Sequence, residues 1–226
     1  MSVLGNNLLA QYYAQNVNPY KKYEDYDIAV EIQTTPEQLE WGINLRKNAG
    51  TLTLNWGDSS PEETVSVISQ KTVTHVYPSA GKYIMYIANA TGINASYSGI
   101  GNLTTYSAMV TTIIAWKIYS ATFQNCINAV INHNRLWDGV TGFSLRNCQK
   151  AMINTIPAGV SALNPDVFAY CAKIKEITFL GTPTSIDRRA FRYSLLTTIR
   201  VPWSEGEVAN APWGATNATI IYNYQP

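Results

Sequence analysis

Between Tyr26 and Ala88, hydrophobic and polar positions alternate in short runs: DIAVEIQT, LEWGINL, TLTLNW, TVSVI, TVTHVY and KYIMYI. Each run is rich in β-branched and aromatic residues and is bounded by Pro, Gly, Asn or Ser, which is the pattern of strands joined by tight turns. Six such strands in about 60 residues predict a small antiparallel sandwich. Ahead of them Val3, Leu4, Leu8, Leu9, Tyr12 and Tyr13 recur at helical spacing, which predicts a short amphipathic helix within residues 1–25. That helix is expected either to dock on its own chain or to serve as an attachment or homo-oligomerisation segment. After Ala88 the stretch TGINASYSGIGNL, rich in Gly, Ser and Asn, reads as a connector.

The second half has a longer period. Ile118, Val140, Leu163 and Ile186 are separated by 22, 23 and 23 residues, and five positions after each stand Phe123, Leu145, Phe168 and Phe191. Three further on come Cys126, Cys148, Cys171 and Ser194, and then Ile131, Ile153, Ile177 and Ile199. Columns that keep one period predict a solenoid in which each coil gives one residue to each inward stack. Ile100, Leu103 and Met109 form a partial unit expected to cap its start, and VPWSEGEVANAPWGATNATIIYNY is expected to cover its far end. The resulting division is a helical segment at 1–25, a sandwich at 26–88 and a solenoid with its cap at 89–226.

Two families are resembled at these residues. Trp56, Gly57, Asp58, His75, Tyr77, Gly81 and Tyr83 fall on the pattern of the PKD-type immunoglobulin-like family, although Ser59 stands where that pattern has a second glycine. The resemblance implies an immunoglobulin-like spacer or adhesion module without catalysis. The unit apolar-x4-Phe-x2-Cys-x4/5-Ile, clearest in SALNPDVFAYCAKIKEITF and TSIDRRAFRYSLLTTIRV, resembles the BspA-like leucine-rich repeats of bacterial cell surfaces over about residues 100–202. The fold class expected is therefore mainly β: an immunoglobulin-like sandwich followed by a leucine-rich-repeat solenoid with a short parallel sheet. The start MSVLGNNLLAQYYAQ and the end VPWSEGEVANAPWGATNATI look like those of accessory virion or tail proteins of phages that infect gut bacteria.

Composition adds constraints on partners. Charged residues make up 14% of the chain and the net charge is +1, so no overall basic field draws it to nucleic acid or to acidic membranes. No run approaches the ~20 apolar residues needed to span a bilayer. The start lacks a basic n-region, which implies either an exit route other than secretion, such as release in a virion on lysis, or a leader removed from a cell-surface protein.

Candidate chemistry is sparse. Cysteines at one place in successive coils would lie about 5 Å apart, and burial as reduced, structural thiols is expected, with a disulfide or metal site as the alternative. Cysteine nucleophiles need a histidine partner, and the chain has only His75 and His133. His75 is expected to make a structural hydrogen bond, and His133 either faces solvent or touches a ligand. Asp58 is expected to make an Asx-type turn rather than to bind calcium. Sequons begin at Asn89, Asn94, Asn102 and Asn217; they matter only in a secretory pathway. No HExxH, GxSxG, P-loop or CxxC motif occurs, so no catalytic residue, metal or cofactor is expected. The outward polar positions of the predicted strands, Asn132, Asn154, Thr178 and Arg200, form the expected binding column. Its partner is expected to be a virion or cell-surface protein or a surface glycan. Trp203 and Trp213 are expected to close the core, with sugar stacking as the alternative. The three readings of function are a phage accessory protein for assembly or host attachment, a bacterial surface adhesin, and a carbohydrate-active enzyme.

Overall fold

The computed structural model describes residues 21–23, 26–47, 50–69, 71–88, 90, 104–116, 120–131 and 142–225, and the described chain is mainly β. The expected helix at 1–25 lies almost wholly outside these residues, as do Ile100, Leu103, Asn132 and His133. Among the described residues no helix is long and apolar enough to cross a membrane.

All six runs between Tyr26 and Ala88 are strands: β1 (Ile28–Gln33), β2 (Glu40–Leu45), β3 (Thr51–Asn55), β4 (Glu63–Ser66), β5 (Lys71–Val76) and β6 (Lys82–Ala88). A short helix α1 (Thr104–Met109) leads into β7 (Val110–Trp116). One antiparallel sheet has the order β4-β3-β6-β1-β7, and β2 pairs with β5 separately. Alternation along β3 and β5 turns Leu52, Leu54 and Val73 inward, where they join Trp41, Ile43 and Trp56 in one core. On β1 the Glu31 carboxylate is nearly buried and accepts from Lys82 Nζ at 3.2 Å and Thr111 Oγ1 at 2.5 Å, so one acid ties β1 to both of its neighbours.

From β8 onward the chain coils. Strands β8 (Ser120–Thr122) and β9 (Gly142–Ser144) pair in parallel, as do β11 (Ala162–Leu163) and β13 (Ser185–Ile186). A second parallel ladder has the order β10 (Thr155–Ile156), β12 (Glu176–Phe179), β14 (Thr198–Arg200) and β15 (Thr219–Ile221). Parallel pairing between elements 21 to 23 residues apart requires each coil to lie directly on the last. Phe123, Leu145, Phe168 and Phe191 are fully buried in one column, and Ile131, Ile153, Ile177 and Ile199 are buried in another. At the far end Trp203 and Trp213 are buried against Phe179, which leaves neither indole face open to a sugar.

The boundary expected at 88/89 is crossed by a strand. β7 pairs antiparallel with β1, and on its other side it bridges in parallel to Val130 of the first coil: Ile113 N donates to Val130 O at 3.1 Å and Val130 N to Thr111 O at 2.9 Å. One hydrophobic cluster accordingly runs from Ile28 to Ala215. Met109, expected as part of a solenoid cap, ends α1 instead. That helix is fastened to β2, since Trp41 Nε1 donates to Tyr106 O at 3.0 Å and Tyr106 Oη donates to the Glu40 carboxylate. The Glu40 bond and burial push the Tyr106 phenol up to about 12.

Candidate functional site

The cysteine column is the innermost part of the coils. Cys126, Cys148 and Cys171 are free thiols and fully buried. Cys148 Sγ donates to Phe123 O at 2.7 Å and Cys171 Sγ donates to Leu145 O at 3.0 Å, so each thiol satisfies a carbonyl of the preceding coil. Burial pushes both thiols well above the ordinary cysteine range, and the neighbouring thiol of the column adds to it. These are unreactive packing groups. Ser194 holds the same place in the last coil, half-buried, and its Oγ makes no hydrogen bond among the described residues.

Trp56, Gly57, Asp58, His75 and Tyr77 meet at the end of β3. Gly57 has φ +81, and a Cβ there would lie 2.3 Å from Ile84 O, so only glycine fits. Ser59 adopts φ 69 without being glycine. Asp58 Oδ1 accepts from Ser60 N at 3.0 Å, and its Oδ2 lies 2.7 Å from His75 Nε2. The imidazole stacks on Trp56 at 4.9 Å, and Tyr77 Oη donates to Trp56 O at 3.1 Å. Burial alone would raise the Asp58 carboxyl, but its bonds from Ser60 and His75 outweigh this and hold it below the usual carboxylate range. The knot joins β3, β5 and the turn between β3 and β4, and Trp56 Nε1 ties it to β4 by donating to Glu63 Oε2 at 3.0 Å. Among the described residues no group of histidine, cysteine and carboxylate side chains could hold a metal ion.

A cleft of about 220 Å3 opens on the first sheet, lined by Tyr26, Thr53, Asn55, Glu62, Tyr86 and Ala88. Its lining includes a single carboxylate, Glu62, which Asn55 Nδ2 approaches at 3.5 Å. Hydrolysis of a glycoside by an acid–base pair needs two.

The outward face of β10, β12, β14 and β15 is where the binding column was expected. Register sets Thr155, Thr178, Arg200 and Ile221 side by side. Asn154 is therefore not in the column: two residues separate the buried Ile153 and Ile156, where a single residue separates Ile177 from Phe179, and the extra residue moves Thr155 into Asn154's place. Asn154 instead gives its carbonyl to Thr178 N at 2.8 Å and leaves its side chain exposed. Arg200 Nη1 donates to Glu176 Oε2 at 2.7 Å, and its guanidinium lies 5.8 Å from the Tyr224 ring centre. Asn132 lies outside the described residues.

A second outward column was not expected. Asn125, Asn147, Tyr170 and Tyr193, each immediately before a residue of the cysteine column, adopt φ of 63, 60, 62 and 60. Asn147 Nδ2 donates to Asn125 Oδ1 at 3.1 Å, and the Tyr170 and Tyr193 rings stack at 4.9 Å and 20°. The signal for its first two members was present in the two NC dipeptides, since asparagine is the residue that most readily takes this left-handed turn after glycine.

These coils match a family model. The BspA type leucine rich repeat region is found in six copies over residues 95–211. The chain belongs to that family. BspA-type repeats suggest a protein-interaction or adhesion role, which agrees with interior columns that are closed and polar positions that face outward. No curated protein and no solved structure matches the chain.

Proposed function

We propose that this BspA-type protein is a non-enzymatic interaction protein whose repeats form a solenoid and contact a partner through the outward face of β10, β12, β14 and β15. The observation that carries this reading is the division between faces: apart from the half-buried Ser194 the inward columns are apolar or thiol, while Thr155, Thr178 and Arg200 stand half-exposed in register. The Trp56–Asp58–His75–Tyr77 knot supports reading residues 26–88 as a PKD-type, immunoglobulin-like spacer with a structural rather than catalytic centre. The two ends of the sequence support a place in a phage virion or tail, in assembly or host-surface attachment. The repeats themselves favour the second reading, a bacterial surface adhesin. A carbohydrate-active enzyme is the third reading, with Glu62 the carboxylate of the described cleft.

Fractionation of the producing culture tests this reading. Co-sedimentation with phage particles supports the virion role and retention with the cell envelope supports the adhesin. A Thr178→Ala/Arg200→Ala variant should lose either association while keeping its fold. Hydrolysis of a glycan, with loss of activity in Glu62→Gln, would replace the interaction reading with the enzyme.

A further inference from the structure

The net charge of +1 hides a segregation. Residues 142–202 hold eight Lys and Arg against three Asp and Glu, a net +5, whereas residues 26–88 hold four against seven, a net −3. In the basic part, the turns before and after the cysteine column carry the exposed Arg146, Lys150 and Lys173 around the stacked Tyr170 and Tyr193. Among the described residues these three cations form no ion pair. Arg192 is fixed: Asp166 holds its guanidinium by contacts of 3.0 and 3.1 Å, and it lies 4.8 Å from the Tyr193 ring centre.

Tyrosine is an unfavourable choice at this place. A bulky side chain at φ near +60 is strained, and asparagine fills the same conformation in the two preceding coils at little cost. Both rings nevertheless stay 46% and 57% exposed after stacking on each other. Neither backbone geometry nor core packing explains them, and strained, solvent-facing aromatic residues beside unpaired cations are the composition of a contact surface.

We propose that this strip of tyrosines and cations on the turn side of the repeats binds an anionic polysaccharide, carboxylated or sulfated, laid along the stacked coils. The proposal adds a second contact surface, with its partner class, to the interaction role above and rests on that role. Coils recur about every 4.8 Å, on the scale of one sugar unit, so ammonium, guanidinium and phenol groups repeat in step with the acids and hydroxyls of such a chain. Charge complementarity concentrates a polyanion on this part of the molecule and away from the acidic residues 26–88. Single-stranded nucleic acid is the weaker fit, because bases need open aromatic faces, and here the rings cover one another while Arg192 covers Tyr193.

The experiment measures binding of the full chain to polygalacturonate and to dextran sulfate at about 0.15 M salt, against uncharged dextran, poly-glutamate and a single-stranded oligonucleotide. Retention on at least one of the two polysaccharides, and not on dextran, is expected. Tyr170→Asn/Tyr193→Asn should weaken it by about tenfold or more with Tm unchanged or raised, and Lys150→Gln/Lys173→Gln should weaken it and flatten its salt dependence. Absence of polysaccharide binding overturns the proposal, as does unaltered affinity in both variants, or equal binding of oligonucleotide or poly-glutamate. If Thr178→Ala/Arg200→Ala still abolishes association with particles or envelope, such a failure leaves the interaction reading standing; if no variant alters any association, that reading fails too.

Discussion

Cys148 and Cys171 each close a hydrogen bond to a carbonyl one coil earlier, and both are kept protonated by burial. All three cysteines should therefore react with a thiol reagent far more slowly in the native protein than in urea; rapid native labelling of two or more would contradict the columns. Because the folded thiols ionise at higher pH than unfolded ones, their stabilisation is complete below about pH 8.5 and is lost as pH rises beyond it. Replacing Cys148 with serine should cost about 1–3 kcal/mol and flatten that alkaline decline in urea titrations. Asp58 behaves oppositely: its lowered folded value adds stability that is complete above about pH 4 and fades as pH falls through that lowered value. An Asp58→Asn variant should show a shallower loss of urea midpoint on acidification than the parent. At this scale the inward residues were legible because burial repeats with the coil. The left-handed tyrosines were not, since nothing in tyrosine's chemistry marks it for positive φ.

Each coil is one element whose value lies in its neighbours. Phe168 stacks on Phe191 at 5.2 Å inside two layers, so Phe168→Ala should open a cavity and cost about 3–5 kcal/mol in urea unfolding. Thr178→Ala/Arg200→Ala touches only the outward face, where Arg200 meets a half-exposed Glu176, and each change should alter stability by no more than about 0.5 kcal/mol. Comparable losses from the two variants would erase the distinction between architectural and contact residues. The strands of residues 26–88 were legible in sequence because alternation and turn residues agreed. The column position of Asn154 was not: a one-residue insertion between Ile153 and Ile156 leaves the spacing of apolar residues nearly intact while shifting which side chain stands beside Thr178.

Over the whole molecule, β7 decides the organisation. Reading the sequence as a sandwich, a connector and a solenoid followed from composition, because the Gly- and Asn-rich stretch after Ala88 resembles a linker. The hydrogen bonds of a strand placed beyond it are long-range and leave no trace in local pattern. Since β7 is shared by β1 and the first coil, the sheet of β4, β3, β6, β1 and β7 is joined to the repeats by backbone hydrogen bonds. Hydrogen exchange of the full chain at rising urea concentrations tests this most directly, followed in peptides that cover β1, β7 and β12. A shared β7 predicts that all three lose protection in one cooperative opening at the same midpoint. Early exchange of β1 and β7 while β12 stays protected would show two independent bodies and contradict it.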